Sequence, residues 1–159
     1  MSAEEAAQFL EQERTVVCAT NGVHGRPHLM PLWYVLRAPD DASPGPQVWA
    51  WTYAASQKVR NLERDARATL QVEAGESYEQ LRGLMLETDA IIHREPDAVA
   101  ALGAEIFARY TVAGGGSPVT VLPVEMLEMI HRQAAKRVGL QFVERRRSSW
   151  DHRKLGGVY

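Results

Sequence analysis

The sequence is poor in the features that mark secreted, membrane-spanning or nucleic-acid-binding proteins. One cysteine in 159 residues excludes an intrachain disulfide. No uninterrupted apolar run approaches the ~18 residues that would suggest a membrane span. The N-terminus opens on acidic and polar residues, where a signal peptide would carry a basic start and an apolar stretch. A cytoplasmic protein with no membrane partner is expected. Basic residues are not in excess either, with 18 Lys+Arg against 20 Asp+Glu and a formal charge of -2. Without that excess, non-specific attraction to a phosphate backbone has no source, so no nucleic-acid partner is expected. An anionic ligand must then be gripped locally.

Familiar catalytic signatures are missing as well. The chain has no Walker A, Gly-x-Gly-x-x-Gly or Gly-x-Ser-x-Gly motif and no zinc-ligand spacing. His24 and His28 are four apart but flank Gly25 and Pro27, so no helix can hold them on one face, and no metal site is expected. Cys18 lies inside the apolar run TVVCAT and should be buried and inert. Catalytic side chains stay unassigned.

What is present is the patterning of one folded domain spanning residues 1–159, with 45% hydrophobic residues to fill a core. Ser2 and Glu5 form a capping box ahead of Ala6, Phe9 and Leu10, which predicts an amphipathic helix. Residues 15–20 and 27–36 read as a hairpin around Asn21, Gly22 and Gly25. Pro31 cannot donate a ladder hydrogen bond, so its strand should carry a bulge or form an edge. Residues 38–47 hold three prolines and read as a loop, and 48–53 (VWAWTY) as a strand. A short helix capped by Ser56 should run to about Asp65, followed by strands at 68–73 and 78–93. Helices should open at Pro96 and at Pro123, with the Gly114-Gly115-Gly116 triplet as a hinge or loose loop between them, and Val138, Leu140 and Phe142 alternate as a last strand. Arg145-Arg146-Arg147 reads as a solvated strand end in preference to an anion site. Short turns between strands leave no room for helical crossovers, so a mainly β (α+β) antiparallel barrel with peripheral helices is expected.

One segment has the composition of a ligand site. Thr52 to Leu62 runs from a strand into a helix N-terminus, where free N–H groups favour an anion, and Ser56 and Lys58 add a hydroxyl and a point charge. Chemistry alone leaves two readings open: an anion site, or a capping serine beside a solvated lysine.

The runs Gly25-Arg26-Pro27-His28-Leu29-Met30-Pro31-Leu32, Ser56-Gln57-Lys58-Val59-Arg60-Asn61-Leu62, Ala68-Thr69-Leu70 and Gln80-Leu81-Arg82-Gly83 resemble, in order and spacing, the pyridoxamine 5'-phosphate oxidase-like split β-barrel superfamily. Within it the chain is most similar to flavin/deazaflavin oxidoreductases of actinobacterial type, many of which use coenzyme F420. The ending Ser149-Trp150-Asp151-His152-Arg153-Lys154-Leu155-Gly156-Gly157 fits such a chain. The resemblance implies an FMN-binding-type split barrel that is homodimeric, with a planar cofactor in a groove between subunits. By position, Met30 and Pro31 would lie beside the ring system, with Trp51 and Thr52 approaching from the next strand. Gln57, Lys58 and Asn61 would hold the phosphate end. Ser77, Tyr78 and Gln80 would come from a neighbouring strand, of the same or the other subunit. Trp33, Trp49 and Trp150 are expected in core and dimer packing.

One departure bears on the cofactor. Pyridoxamine phosphate oxidases carry an Arg and a Lys after the Gly-x-Pro turn to clamp the flavin phosphate, and this chain has Met30 and Val35 there. The resemblance therefore implies coenzyme F420 first and FMN second, with Arg60, Arg64 or the Arg145 run near the anionic tail. The expected activity is hydride transfer from the reduced deazaflavin to a polarised double bond of a small planar substrate. Tyr78 is either a proton donor or a wall of the pocket. The alternatives are an FMN-dependent oxidase-like enzyme and a non-catalytic flavin, deazaflavin or tetrapyrrole binder.

Overall fold

The structure, a computed structural model, describes residues 1–38, 45–111 and 122–156. The glycine triplet and most of the proline-rich loop lie outside them. Among the described residues, four α-helices, α1 (Ala3–Gln12), α2 (Gln57–Arg64), α3 (Pro96–Thr111) and α4 (Val124–Ala134), surround seven strands. The strands are β1 (Val16–Asn21), β2 (Pro27–Leu32), β3 (Tyr34–Arg37), β4 (Gln47–Tyr53), β5 (Arg67–Ala74), β6 (Arg82–His93) and β7 (Arg137–Asp151). They form one sheet in the order β2-β1-β5-β6-β7-β4-β3, and all neighbours are antiparallel.

The two ends of this order, β2 and β3, are separated in the chain by Trp33 alone. A sheet whose first and last strands are joined by one residue must curl back on itself, which makes the half-open barrel. Pro31 sits on the edge strand, opposite Val17 in an unbroken register, so its missing N–H costs no ladder bond to a second neighbour.

Alternation along the strands fills the barrel. Val16, Cys18, Leu70, Val72, Leu84, Leu86, Leu140 and Phe142 are all buried in one cluster, closed at one end by Phe9 and Leu10 of α1. The capping box forms as expected, with Ser2 Oγ accepting from the Glu5 amide and Glu5 from the Ser2 amide. On the outside, α3 lies over β3 and β4, where Leu102 and Ile106 meet Val35, Trp49 and Trp51. Gly103 permits this approach, since a Cβ there would come within 2.6 Å of the Trp51 ring.

Arg109 of α3 reaches back to the end of α1. Its guanidinium donates to the carbonyls of Leu10, Glu11 and Glu13, at 2.8–3.1 Å, and to that of Tyr34. These are orphan carbonyls of a helix C-terminus, so a side chain from 100 residues downstream does the capping. Tyr34 adds its hydroxyl to the Leu10 and Glu13 carbonyls, and the Arg109 guanidinium stacks on the Tyr34 ring at 4.6 Å.

Three sequence expectations need correction. The single strand expected over 27–36 is broken at Trp33 into β2 and β3, because its two halves pair with different partners, β1 and β4. The strand expected from residue 78 begins at Arg82, because Tyr78–Gln80 form a single 3-10 turn behind Gly75, whose φ of +111° tightens the loop. Arg145-Arg146-Arg147 is not a strand end. β7 continues to Asp151, and the three arginines are held by carboxylates: Asp89 and Glu87 on β6, and Glu144 on β7 itself.

Cys18 is fully buried, and burial pushes its thiol up to about 12 against the opposing pull of the Lys58 ammonium. A thiol reagent should label the native protein only after unfolding. Cys18→Ser should cost about 1–3 kcal/mol of stability for a buried hydroxyl, with ligand affinity unchanged; rapid labelling of the folded chain would contradict this placement.

Candidate functional site

The sequence Thr52-Tyr53-Ala54-Ala55-Ser56 carries the chain out of β4 and into α2. Thr52 ends the inward-facing series of β4 and is buried, while Tyr53 turns outward. Ser56 takes the N-cap position in extended backbone, and its carbonyl accepts from the Val59 and Arg60 amides. Its side chain does not cap, contrary to expectation. Ser56 Oγ is buried and has no hydrogen-bond partner among the described residues.

Helical periodicity then turns Lys58, Val59, Asn61 and Leu62 inward. Lys58 is only 5% exposed, which removes the solvated-lysine reading. Its Nζ donates to Thr52 Oγ1 at 2.8 Å, and among the described residues no carboxylate lies within 4.0 Å of it. Desolvation pulls its pKa below the ordinary lysine value, opposed by Cys18. A buried ammonium with one neutral partner is a charge without its counter-ion.

That charge lies in a groove of about 320 Å³. Lys58 and Thr52 supply its buried part, and the β2–β3 crossing brings Pro31, Leu32 and Trp33 along one side. Trp51, Tyr53 and Arg137 complete it. Trp33 is half exposed and stacks on Tyr110 with ring centroids 4.4 Å apart. Trp51 also has packing work, edge-on to Phe107 and against Gly103.

Of the residues singled out in the sequence, Pro31, Trp51, Thr52 and Lys58 meet in this groove. Gln57 and Asn61 line an adjoining hollow of about 410 Å³ under the Gly22–His28 loop. There Gln57 donates to Asn61, and Asn61 donates to Thr20 Oγ1 at 3.0 Å, tying α2 to β1. Met30 is exposed on β2 and belongs to neither hollow. Ser77, Tyr78 and Gln80 follow the Ala74 end of β5, whereas α2 leads into its Arg67 end. Within one chain they are at the opposite end of the sheet from Lys58, and Tyr78 packs on His152 with ring centroids 4.6 Å apart.

Trp33, expected only in packing, and Tyr53, inside the Thr52–Leu62 segment but given no role, also line the groove, and Arg137 is not singled out by the sequence at all. Arg137 immediately precedes the alternating run of β7, and its position opposite Tyr53 follows from the β4–β7 register, which no local pattern encodes. A further hollow of about 380 Å³ opens on β1, β5 and β6. Its arginines, Arg67 and Arg145, are already paired with Asp65 and Asp89, so it offers an anion no free charge. Among the described residues there is no helix long and apolar enough to cross a membrane.

The pyridoxamine 5'-phosphate oxidase family model matches residues 2–132. A conserved hypothetical protein from Mycobacterium tuberculosis is 38% identical and superposes with a TM-score of 0.80, over 100% of this chain and 90% of that one. A protein named F420 reductase aligns at 20% identity and TM-score 0.61, over 89% of this chain and 94% of its own. The heme storage protein HutZ from Vibrio cholerae aligns at 14% identity and TM-score 0.64, over 94% and 93%. No curated protein matches the sequence. The family model spans most of the barrel and all of the Lys58 helix, and the chain belongs to the pyridoxamine 5'-phosphate oxidase family.

Proposed function

We propose that the protein is an oxidoreductase whose groove holds the anionic end of coenzyme F420, the reduced cofactor serving reduction of a polarised double bond in a small planar molecule. The observation that carries this reading is Lys58, buried without a carboxylate and reachable from the groove. When bound, the deazaflavin supplies the hydride. The protein's share is binding and orientation. Lys58 would hold the phosphate end, with Thr52 fixing the direction of its Nζ, and Ser56, two residues before Lys58, has an unused hydroxyl. Pro31, Trp33 and Trp51 give the groove an apolar side against which a planar ring could rest.

The preference for F420 over FMN rests on β2 and β3. Val35, standing where the oxidases place a phosphate-clamping residue, is buried against Leu102 and Ile106 under α3 and has no charge to offer. Met30, at the other such position, is uncharged and exposed.

The exposed edge of β2 supports a homodimer. Leu29 is 56% exposed, Met30 41% and the adjacent Trp33 53%, an apolar strip on a strand with one open side. On this reading Ser77, Tyr78 and Gln80, which stand at the opposite end of the sheet from Lys58 within one chain, would reach the groove from the second subunit, with Tyr78 as proton donor or wall. Parallel titration with F420 and FMN, then turnover with each reduced cofactor and sedimentation of the complex, tests the proposal. F420 binding with turnover by a dimer is the expected result. Tight FMN binding in a yellow protein, a Soret band, or cofactor binding without turnover of any acceptor would overturn it.

A further inference from the structure

Arg137 opens β7 directly opposite Tyr53 of β4. Its guanidinium lies 4.1 Å from the Tyr53 ring centroid and 4.5 Å from that of Trp51, two residues back on the same face of β4. Two aromatic rings thus restrain a side chain that is normally mobile, and the restraint leaves its planar fork of donors mostly unspent. Among the described residues, its one polar partner is the Gln133 side chain, and no carboxylate lies within 4.0 Å. The contrast within the same strand is direct, since Arg145, Arg146 and Arg147 each have a carboxylate.

Arg137 and Lys58 line one groove. Two cations facing a shared hollow without a counter-ion repel each other, and each has already given up part of its hydration. Their chemistry is complementary: Lys58 is a compact point charge in the buried part, and Arg137 is a pre-oriented fork suited to two oxygens at once. We propose that Arg137 is a specificity-determining residue that works with Lys58 as a two-point clamp, so that the groove selects ligands carrying at least two negative charges on or next to a phosphoryl group. This rests on the groove being the anionic end of a cofactor site. A phosphate monoester and a phosphodiester flanked by carboxylates share the required chemistry, and the experiment separates them.

The test uses the full-length wild type, Arg137→Gln and Arg137→Lys at low ionic strength. Inorganic pyrophosphate is followed by thermal shift, and F420, FMN and uncharged riboflavin by direct titration. Arg137→Gln should weaken pyrophosphate and the preferred anionic cofactor by about tenfold or more, since each ~1.4 kcal/mol is tenfold and a charged hydrogen bond contributes roughly 1.5–3 kcal/mol. Lysine should restore only part, and the dependence of affinity on salt should flatten. F420 losing more than FMN assigns Arg137 to flanking carboxylates, and equal losses assign it to the phosphate. Riboflavin binding should not move. Wild-type affinities in Arg137→Gln, an equal loss for riboflavin, or no protection of the wild type by pyrophosphate would each overturn the clamp. Pyrophosphate protection that depends on Arg137, with neither F420 nor FMN bound, would keep the clamp and remove the cofactor reading instead.

Discussion

Lys58→Met should weaken binding of the anionic cofactor by one to two orders of magnitude while the unliganded protein melts at the same temperature or higher. The loss follows from a charge-assisted bond contributing roughly 1.5–3 kcal/mol. The gain in the unliganded state follows from burial, because an ammonium that is 5% exposed and has only a threonine hydroxyl beside it is held at a desolvation cost that methionine, of similar length, does not incur. The sign of the pH dependence agrees. Desolvation places the folded-state pKa of Lys58 below the unfolded value, so the unfolded chain binds more protons between the two and stability rises with pH across that window. In Lys58→Met that rise disappears. Calorimetric titration at low salt together with melting curves over alkaline pH checks both halves. Unchanged affinity would remove the site, and a collapse of the unliganded fold would show that the ammonium is structural.

Arg109→Ala should be strongly destabilising although the residue lies outside the site. It leaves three carbonyls at the end of α1 and that of Tyr34 without their charged donor, and it removes the stack on the Tyr34 ring. Hydrogen bonds to charged groups contribute roughly 1.5–3 kcal/mol and buried unpaired groups cost about 1–3 kcal/mol, so a net loss of about 2–4 kcal/mol is expected. For a chain of this size each kcal/mol corresponds to about 2–4 °C in melting temperature. Denaturant unfolding of the variant measures the loss directly; a change below about 0.5 kcal/mol would mean that water or Tyr34 alone caps the helix. Arg109→Lys should recover little, because a single ammonium cannot serve carbonyls spread over Leu10 to Glu13.

These two residues mark where sequence reading succeeds and where it stops. Alternation and capping are local, so the Ser2 box, the hairpin at Asn21-Gly22 and the inward series of β7 were legible from spacing alone. Lys58 was legible as a candidate because a strand running into a helix N-terminus is also a local pattern. Its burial was not, since α2 has only eight residues and an arginine, a glutamine and a lysine in its first turn, a composition that reads as solvated. Arg109 and Arg137 were invisible for a different reason. Their partners, Leu10 and Tyr53, are brought to them by the curl of the sheet and by pairing between distant strands. The strand expected from residue 78 starts four residues late because the turn at Gly75, with φ of +111°, leads into a 3-10 turn over Tyr78–Gln80 that the apolar pattern beyond it does not reveal. The arginine run was misplaced because the carboxylates that neutralise it, Asp89 and Glu87, stand on β6, far away in the sequence.

The order of strands has a consequence for how the molecule comes into being. β4 carries Thr52 and Tyr53 and emerges early, but its hydrogen-bonding neighbour on the barrel side is β7, the last of the described strands. A sheet closed by its final strand has high contact order and folds slowly for its size. During synthesis, Lys58 and the wall of β2 can be in place long before Arg137 leaves the ribosome. Until β7 docks, β4 has an unpaired edge and the groove lacks Arg137. Docking of β7 joins β4 to β6 and brings Arg137 into the groove beside Lys58 in one event.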